Sequence, residues 1–154
     1  MRGQPVGERA PTGDDAVPLV TEGLEVLSEA ECLALVATRA IGRVAVSVAA
    51  LPAVFPVNYC IRDGDVYFRT APGTKLDAAT REAVVAFQVD DFEAFGHTGW
   101  SVLIVGPCAE VPGEELAALE PLRVQPWAHG DRHHVVRIRS ELVSGRRIAA
   151  RAGG

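Results

Sequence analysis

Arg69, Thr70, Thr74 and Lys75 lie close together in the stretch YFRTAPGTKLDAAT, and they offer a guanidinium, an ammonium and two hydroxyls. Lys75 is the single lysine among the 15 lysines and arginines of the chain. This set suits a phosphate. An arginine fork grips two oxygens and a lysine adds a compact positive charge. DVYFRT reads as a strand. TKLDAATREA reads as a helix starting at Lys75, with Thr74 as N-cap, Asp77 at the third helical position and Gly73 in the joining turn. The helix start would add oriented N–H donors. A cation in a first helical turn opposes the helix dipole by roughly 0.3–1 kcal/mol unless an anion compensates it. The alternative is a solvent-facing Lys75 and an Arg69 paired with a carboxylate. The G-x-x-x-x-G-K-[ST] pattern is absent, so this is not a Walker loop.

The elements around the stretch are mostly strands. LSEAECLALV is a helix whose Ser28 and Glu31 form a capping box, with Leu27 stapled onto its first turn. GRVAVSVAA alternates as a strand. LPAVFPVNYCIRDGDVYFRT is two strands joined at Asp63-Gly64. AVVAFQVDDF and WSVLIVGPCAEV are two more strands, GEELAALEPLR is a short helix, and HHVVRIRSELVSGRRIAA is a strand or strand pair broken near Ser144-Gly145. Short links between strands favour antiparallel pairing. The expected fold is mainly β with small helices, an antiparallel barrel of six or so strands. Residues 1–20, rich in Gly, Pro, Arg and Asp, are expected to be a flexible tail, and residues 21–154 one domain.

A net charge of -5 argues against nucleic acid or an anionic membrane as the main partner, since both need a basic field. No apolar run approaches a membrane span, and the N-terminus lacks the apolar core of a secretory signal. Cys32, Cys60 and Cys108 show no C-x-x-C spacing, which points to a reducing cytoplasm and to no metal site.

GRVAVS, LPAVFPVNYCI, DGDVYFRTAPGTKLDAA, VAFQVDD and GWSVLIVGPCAEV occur in this order over about residues 27–148. Together they resemble the pyridoxamine 5'-phosphate oxidase-like family of FMN-binding split β-barrels, in its smaller generic branch. The resemblance implies a homodimer with FMN in a cleft between subunits, and an oxidoreductase acting on a small molecule. It implies that Arg69, Thr70, Thr74 and Lys75 hold the FMN phosphate. Pro56, Val57, Asn58 and Tyr59 would run along the flavin ring, with Asn58 near its polar edge. Trp100 and Ser101 would fall at a ring or phosphate contact, and Arg146 at a late basic position reaching the cofactor. The vitamin B6 oxidases carry an Arg-x-His substrate signature near the C-terminus. SGRRIAARAGG lacks that histidine, so pyridoxamine 5'-phosphate oxidation is not expected.

F420 is the alternative cofactor, with Arg43, Arg137, Arg139 and Arg147 available for its anionic tail. A non-catalytic flavin or haem carrier is a third reading, with His97 or His129 as the axial ligand. No residue stands out as a general acid or base. His129, His133 and His134 read as surface histidines, and His97 as a loop residue near the ring contact. Trp127 reads as packing. Asp90 to Glu93 read as a solvated turn after a strand.

Overall fold

The structure, a computed structural model, describes residues 23–119 and 134–148. The elements are β1 (Leu24–Val26), α1 (Glu29–Val36), β2 (Ile41–Val48), β3 (Leu51–Arg62), β4 (Asp65–Thr70), α2 (Lys75–Ala79), β5 (Ala83–Glu93), β6 (Thr98–Glu110), α3 (Gly113–Leu119), β7 (His134–Ile138) and β8 (Leu142–Ile148). The strands run β1-β8-β6-β5-β2-β3-β4-β7, every pairing is antiparallel, and β6 also pairs with β7. That second pairing closes β6, β5, β2, β3, β4 and β7 into a six-stranded barrel, with β8 and β1 continuing the sheet beyond it. The expected mainly β barrel is the fold observed.

Alternation does most of the work. In β2 the residues Gly42, Val44 and Val46 are buried while Ile41, Arg43 and Ser47 are exposed, the period of a strand with one face on a core. The barrel interior is filled by Val44, Val57, Tyr59, Val66, Phe68, Phe87, Val89, Val102, Ile104, Val136 and Ile138. α1 plugs the side next to β8 through Cys32 and Val36, both fully buried. It starts where expected: Ser28 Oγ accepts from Glu31 N–H, and the Glu31 carboxylate accepts from Ser28 N–H at 2.8 Å. Among the described residues no helix is long and apolar enough to cross a membrane.

Four expectations need correction or limits. The last strand pair breaks at 139–141, not at Ser144-Gly145, which lie inside β8. Gly145 serves packing there: a Cβ on it would sit 2.6 Å from Cys32 Sγ. α2 is only five residues, because Thr80 turns its hydroxyl back onto Leu76 O at 2.8 Å and Glu82 adopts a left-handed φ of 51°. Asp90 to Glu93 are part of β5, where Asp90 meets Gln88 and Arg43 and Asp91 pairs with Arg39. The expected tail, Trp127, His129 and His133 lie outside the described residues. β1, too short to show a period, was not anticipated.

Candidate functional site

The β4–α2 connection turns on Asp77, the only acidic residue among the described ones that is buried. Its Oδ1 accepts from Thr70 Oγ1 at 2.9 Å and from His134 Nδ1 at 2.7 Å. Its Oδ2 accepts from Gly73 N–H at 3.2 Å and from Arg81 at 3.2 Å. Burial works to raise the pKa of this carboxyl. The donors from His134, Thr70, Gly73 and Arg81 together outweigh it and hold the pKa at about 2. Thr74 caps α2 by accepting from Asp77 N–H at 3.1 Å, and its own hydroxyl donates to Ala71 O at 2.8 Å. Both threonine hydroxyl protons are thus used inside the loop.

What remains at the surface is charge. Arg69 and Lys75 are exposed, and neither has an ion-pair partner among the described residues. Lys75, Thr74, Gly73, Ala78 and Ala79 form one wall of a cleft of about 340 Å3, and Ser47, Val48 and Ala49 form the other. That second wall is the β2–β3 turn, where Ala49 and Ala50 both hold positive φ, at 50° and 63°. The cleft is lined by small residues on every side except the lysine.

The other expected site residues lie elsewhere on the barrel. In β3, Val57 and Tyr59 point into the core while Pro56 is exposed and Asn58 half-buried. Tyr59 donates its hydroxyl to Val36 O and meets Phe87 edge-on at 4.8 Å, and burial pushes its phenol well above its ordinary pKa. It anchors α1, so only its main chain can serve a ligand on the outer face. Trp100 is likewise in the core. Ser101 faces outward, accepts from Gln88 Nε2 at 3.2 Å, and sits opposite both Asp90 and Arg146.

Pro56, Arg43 and Gln88 form one cross-strand row, four residues along β2 from Ser47. Ser101, Asp90 and Arg146 are two residues further still. At about 3.3 Å per residue, the cleft and the Ser101 group are separated by roughly 20 Å along the strands of one protomer. The chain therefore brings Thr74 and Lys75 together in one wall, leaves Arg69 on the outer face of the preceding strand, and does not bring Ser101 and Arg146 to them.

Residues 28–147 match the pyridoxamine 5'-phosphate oxidase family. The chain belongs to that family. An uncharacterized protein of Mycobacterium tuberculosis is 36% identical over 146 residues, covering 92% of this chain and 96% of that one. The structure is similar to an FAD-binding protein from Mycobacterium smegmatis, with a TM-score of 0.74 and 34% identity over 80% of this chain and 98% of that chain. It is also similar to an FAD-binding protein from Mesorhizobium loti, with a TM-score of 0.65 and 29% identity over 82% of this chain and 97% of that chain.

Within this family member the sequence reading missed two contributors. Asp77 was seen only as a capping residue, yet its side chain turns away from the cap towards β4 and β7. His134 read as a surface histidine, but it is half-buried and bonded to Asp77, with Glu110 3.9 Å from its Nε2. An acid inside a run of small residues was the available signal; its partner, 57 positions away, was not.

Proposed function

We propose that the protein binds a flavin nucleotide, FMN, with the phosphate against Arg69 and Lys75, and acts as an oxidoreductase on a small molecule. The observation that carries this reading is Lys75, without an acidic partner among the described residues, in the wall of a small-residue cleft, with the similarly unpaired Arg69 on the strand that leads into the same loop. Arg39, Arg43 and Arg147 are balanced by Asp91, Asp90 and Glu25, while Arg139 and Arg146, also exposed, have no ion pair among the described residues and lie away from this cleft. Solvent-exposed cations cost little, but one left unpaired in a concave wall suits an anion. The M. smegmatis relative, named for FAD binding, supports a flavin, and FAD carries the same phosphate next to its ribityl chain. The bound ring supplies hydride or electron transfer; the chain holds, orients and shields it. Of the arginines available for an F420 tail, Arg43, Arg137 and Arg147 already face carboxylates, which favours the shorter FMN.

An apolar row on the outer face of the barrel supports a two-protomer form. Val54, Ala45, Ala86, Val105 and Leu142 make a continuous apolar row across five strands, and its ends, Val54 and Leu142, are 62% and 68% exposed. An open apolar row of this kind suits a second copy. A second copy could also bring Ser101 and Arg146 to a flavin whose phosphate sits in the first protomer's cleft. The unbridged cysteines suit a reducing cytoplasm.

The test is titration of FMN, FAD, riboflavin and F420 into wild type and Lys75→Ala, followed by flavin fluorescence and light scattering. A charge-assisted contact contributes about 1.5–3 kcal/mol, so FMN binding should weaken roughly ten- to a hundredfold. Riboflavin, without the phosphate, should bind both proteins equally. Unchanged FMN affinity, or an equal loss for riboflavin, removes Lys75 from the site. A flavin-loaded protein that scatters as a monomer removes the shared cleft.

A further inference from the structure

The Asp77 side chain does not line the cleft, yet it ties together the segments behind the Lys75 wall. Its carboxylate gathers one donor from the end of β4, one from the loop, one from Arg81 two residues after α2 and one from the start of β7. Its side chain is 4% exposed, and both oxygens carry two donors each. Ionised carboxylates offer about four acceptor sites, so this one is filled. The bonds have two consequences. They pull the Thr70 proton and the Gly73 N–H inward, which leaves Lys75 as the charged group in the cleft wall. They also neutralise a buried negative charge that would otherwise repel an anion in the cleft.

We propose that Asp77 is a positioning residue for the loop that carries Lys75, and that in the native chain His134 helps to hold it by donating Nδ1–H to the carboxylate. The proposal rests on the phosphate reading above. It predicts a specific pH behaviour. In Asp77→Asn the amide has one acceptor oxygen. That oxygen goes to Gly73 N–H and Arg81, whose donors cannot be reversed. The amide NH2 then faces Thr70 Oγ1 and His134 Nδ1. A hydroxyl can turn to accept, but the imidazole accepts only when neutral. A protonated His134 meets the NH2 donor-to-donor and opens the loop. In wild type both forms of His134 can donate to the carboxylate. Arg81 faces the other oxygen and is always charged, and Glu110 faces the far ring nitrogen, Nε2, so neither changes what Nδ1 meets.

The experiment measures FMN and riboflavin affinity at about pH 8 and about pH 5.5, for wild type, Asp77→Asn, Thr70→Val and Lys75→Ala. FMN has a phosphate that titrates itself, so the readout is the ratio of variant to wild type at each pH. For Asp77→Asn the FMN ratio should worsen by about tenfold at the lower pH, while riboflavin stays level in both. Thr70→Val, which keeps the volume and removes one donor, should weaken FMN about threefold with riboflavin unchanged. An FMN ratio that stays near one at both pH values overturns the inference, as does an equal loss for both ligands. If Asp77→Asn does not fold, Thr70→Val decides, and unchanged FMN affinity there overturns it. If Lys75→Ala weakens FMN while the other two variants do not, positioning alone fails. If Lys75→Ala has no effect, the phosphate reading fails and the inference with it.

Discussion

The two ends of β4 are built from similar residues and finished differently. At its start, the Asp63-Gly64 turn is closed by its neighbours. Ser140 N–H donates to Asp65 at 3.0 Å and Ser140 Oγ to Gly64 O at 2.6 Å. Arg62 lies 3.7 Å from the Asp63 carboxylate and donates to Ala118 O at 2.6 Å, and Arg137 faces Asp65 at 3.8 Å. Arg62, Asp63, Asp65 and Arg137 thus each meet a partner within the chain. At the other end, Asp77 answers the backbone and the buried donors, but Arg69 and Lys75 are left over. The first end is a structural closure. The second is as firmly tied underneath and electrostatically incomplete on top, which is the arrangement expected where a ligand completes the charge.

The largest effect that could break this comparison is an exchange of arginines. Arg69→Ala should weaken FMN by roughly tenfold or more, because a charge-assisted contact is lost, and should leave stability within about 0.5 kcal/mol. Arg62→Ala should do the reverse: no change in FMN affinity, and a loss of about 0.5–1 kcal/mol from the lost hydrogen bond to Ala118 O and missing packing. Fluorescence titration with urea denaturation reads both. Equal effects from the two arginines would show that the ends are not different in kind.

The balanced end was the more legible of the two from sequence. Asp63-Gly64 is strong hairpin chemistry, and the period of two in GRVAVSV and DVYFRT placed the strands that flank it. Ser28 with Glu31 marked α1 because both capping bonds are local. The cleft end was half legible. Arg69 and Lys75 showed as an unusual pair, but the Asp77–His134 contact joins residues 57 apart, and no local pattern encodes it. Ser144-Gly145 misled because glycine usually punctuates a strand, whereas here the missing Cβ makes room for Cys32. The Ala49-Ala50 turn gave no turn signal at all.

A smaller effect tests the tie beneath the cleft. The Asp77 pKa is about 2 in the fold against 3.8 for an ordinary carboxyl. Between those values the unfolded chain binds more protons, so stability falls as pH falls. The contribution is fully present above about pH 4 and is lost as pH drops through about 2, amounting to roughly 2 kcal/mol. Urea midpoints measured from pH 5 to pH 2 should decline more steeply in wild type than in Asp77→Asn. Parallel declines would mean that other carboxylates carry the acid sensitivity.

The smallest effect concerns the two turns that bound β3, one at each end of the comparison. Asp63 and Gly64 hold φ of 50° and 82°, and Ala49 and Ala50 hold 50° and 63°. Both pairs therefore have the doubly left-handed geometry of a tight hairpin, closed by Arg62 opposite Asp65 and by Val48 opposite Leu51. Only the first has residues suited to it. An alanine in the left-handed region suffers a clash of about 1–2 kcal/mol, and replacing it by glycine returns about 0.5–1 kcal/mol of that as unfolded-chain entropy. Ala50→Gly should thus stabilise the protein by about 0.5 kcal/mol, and Gly64→Ala should destabilise it by about 1 kcal/mol. The opposite signs at matched positions are the point. If Ala50→Gly destabilises the chain as much as Gly64→Ala does, the cleft-side turn carries no strain, and the two ends of β3 differ only in charge.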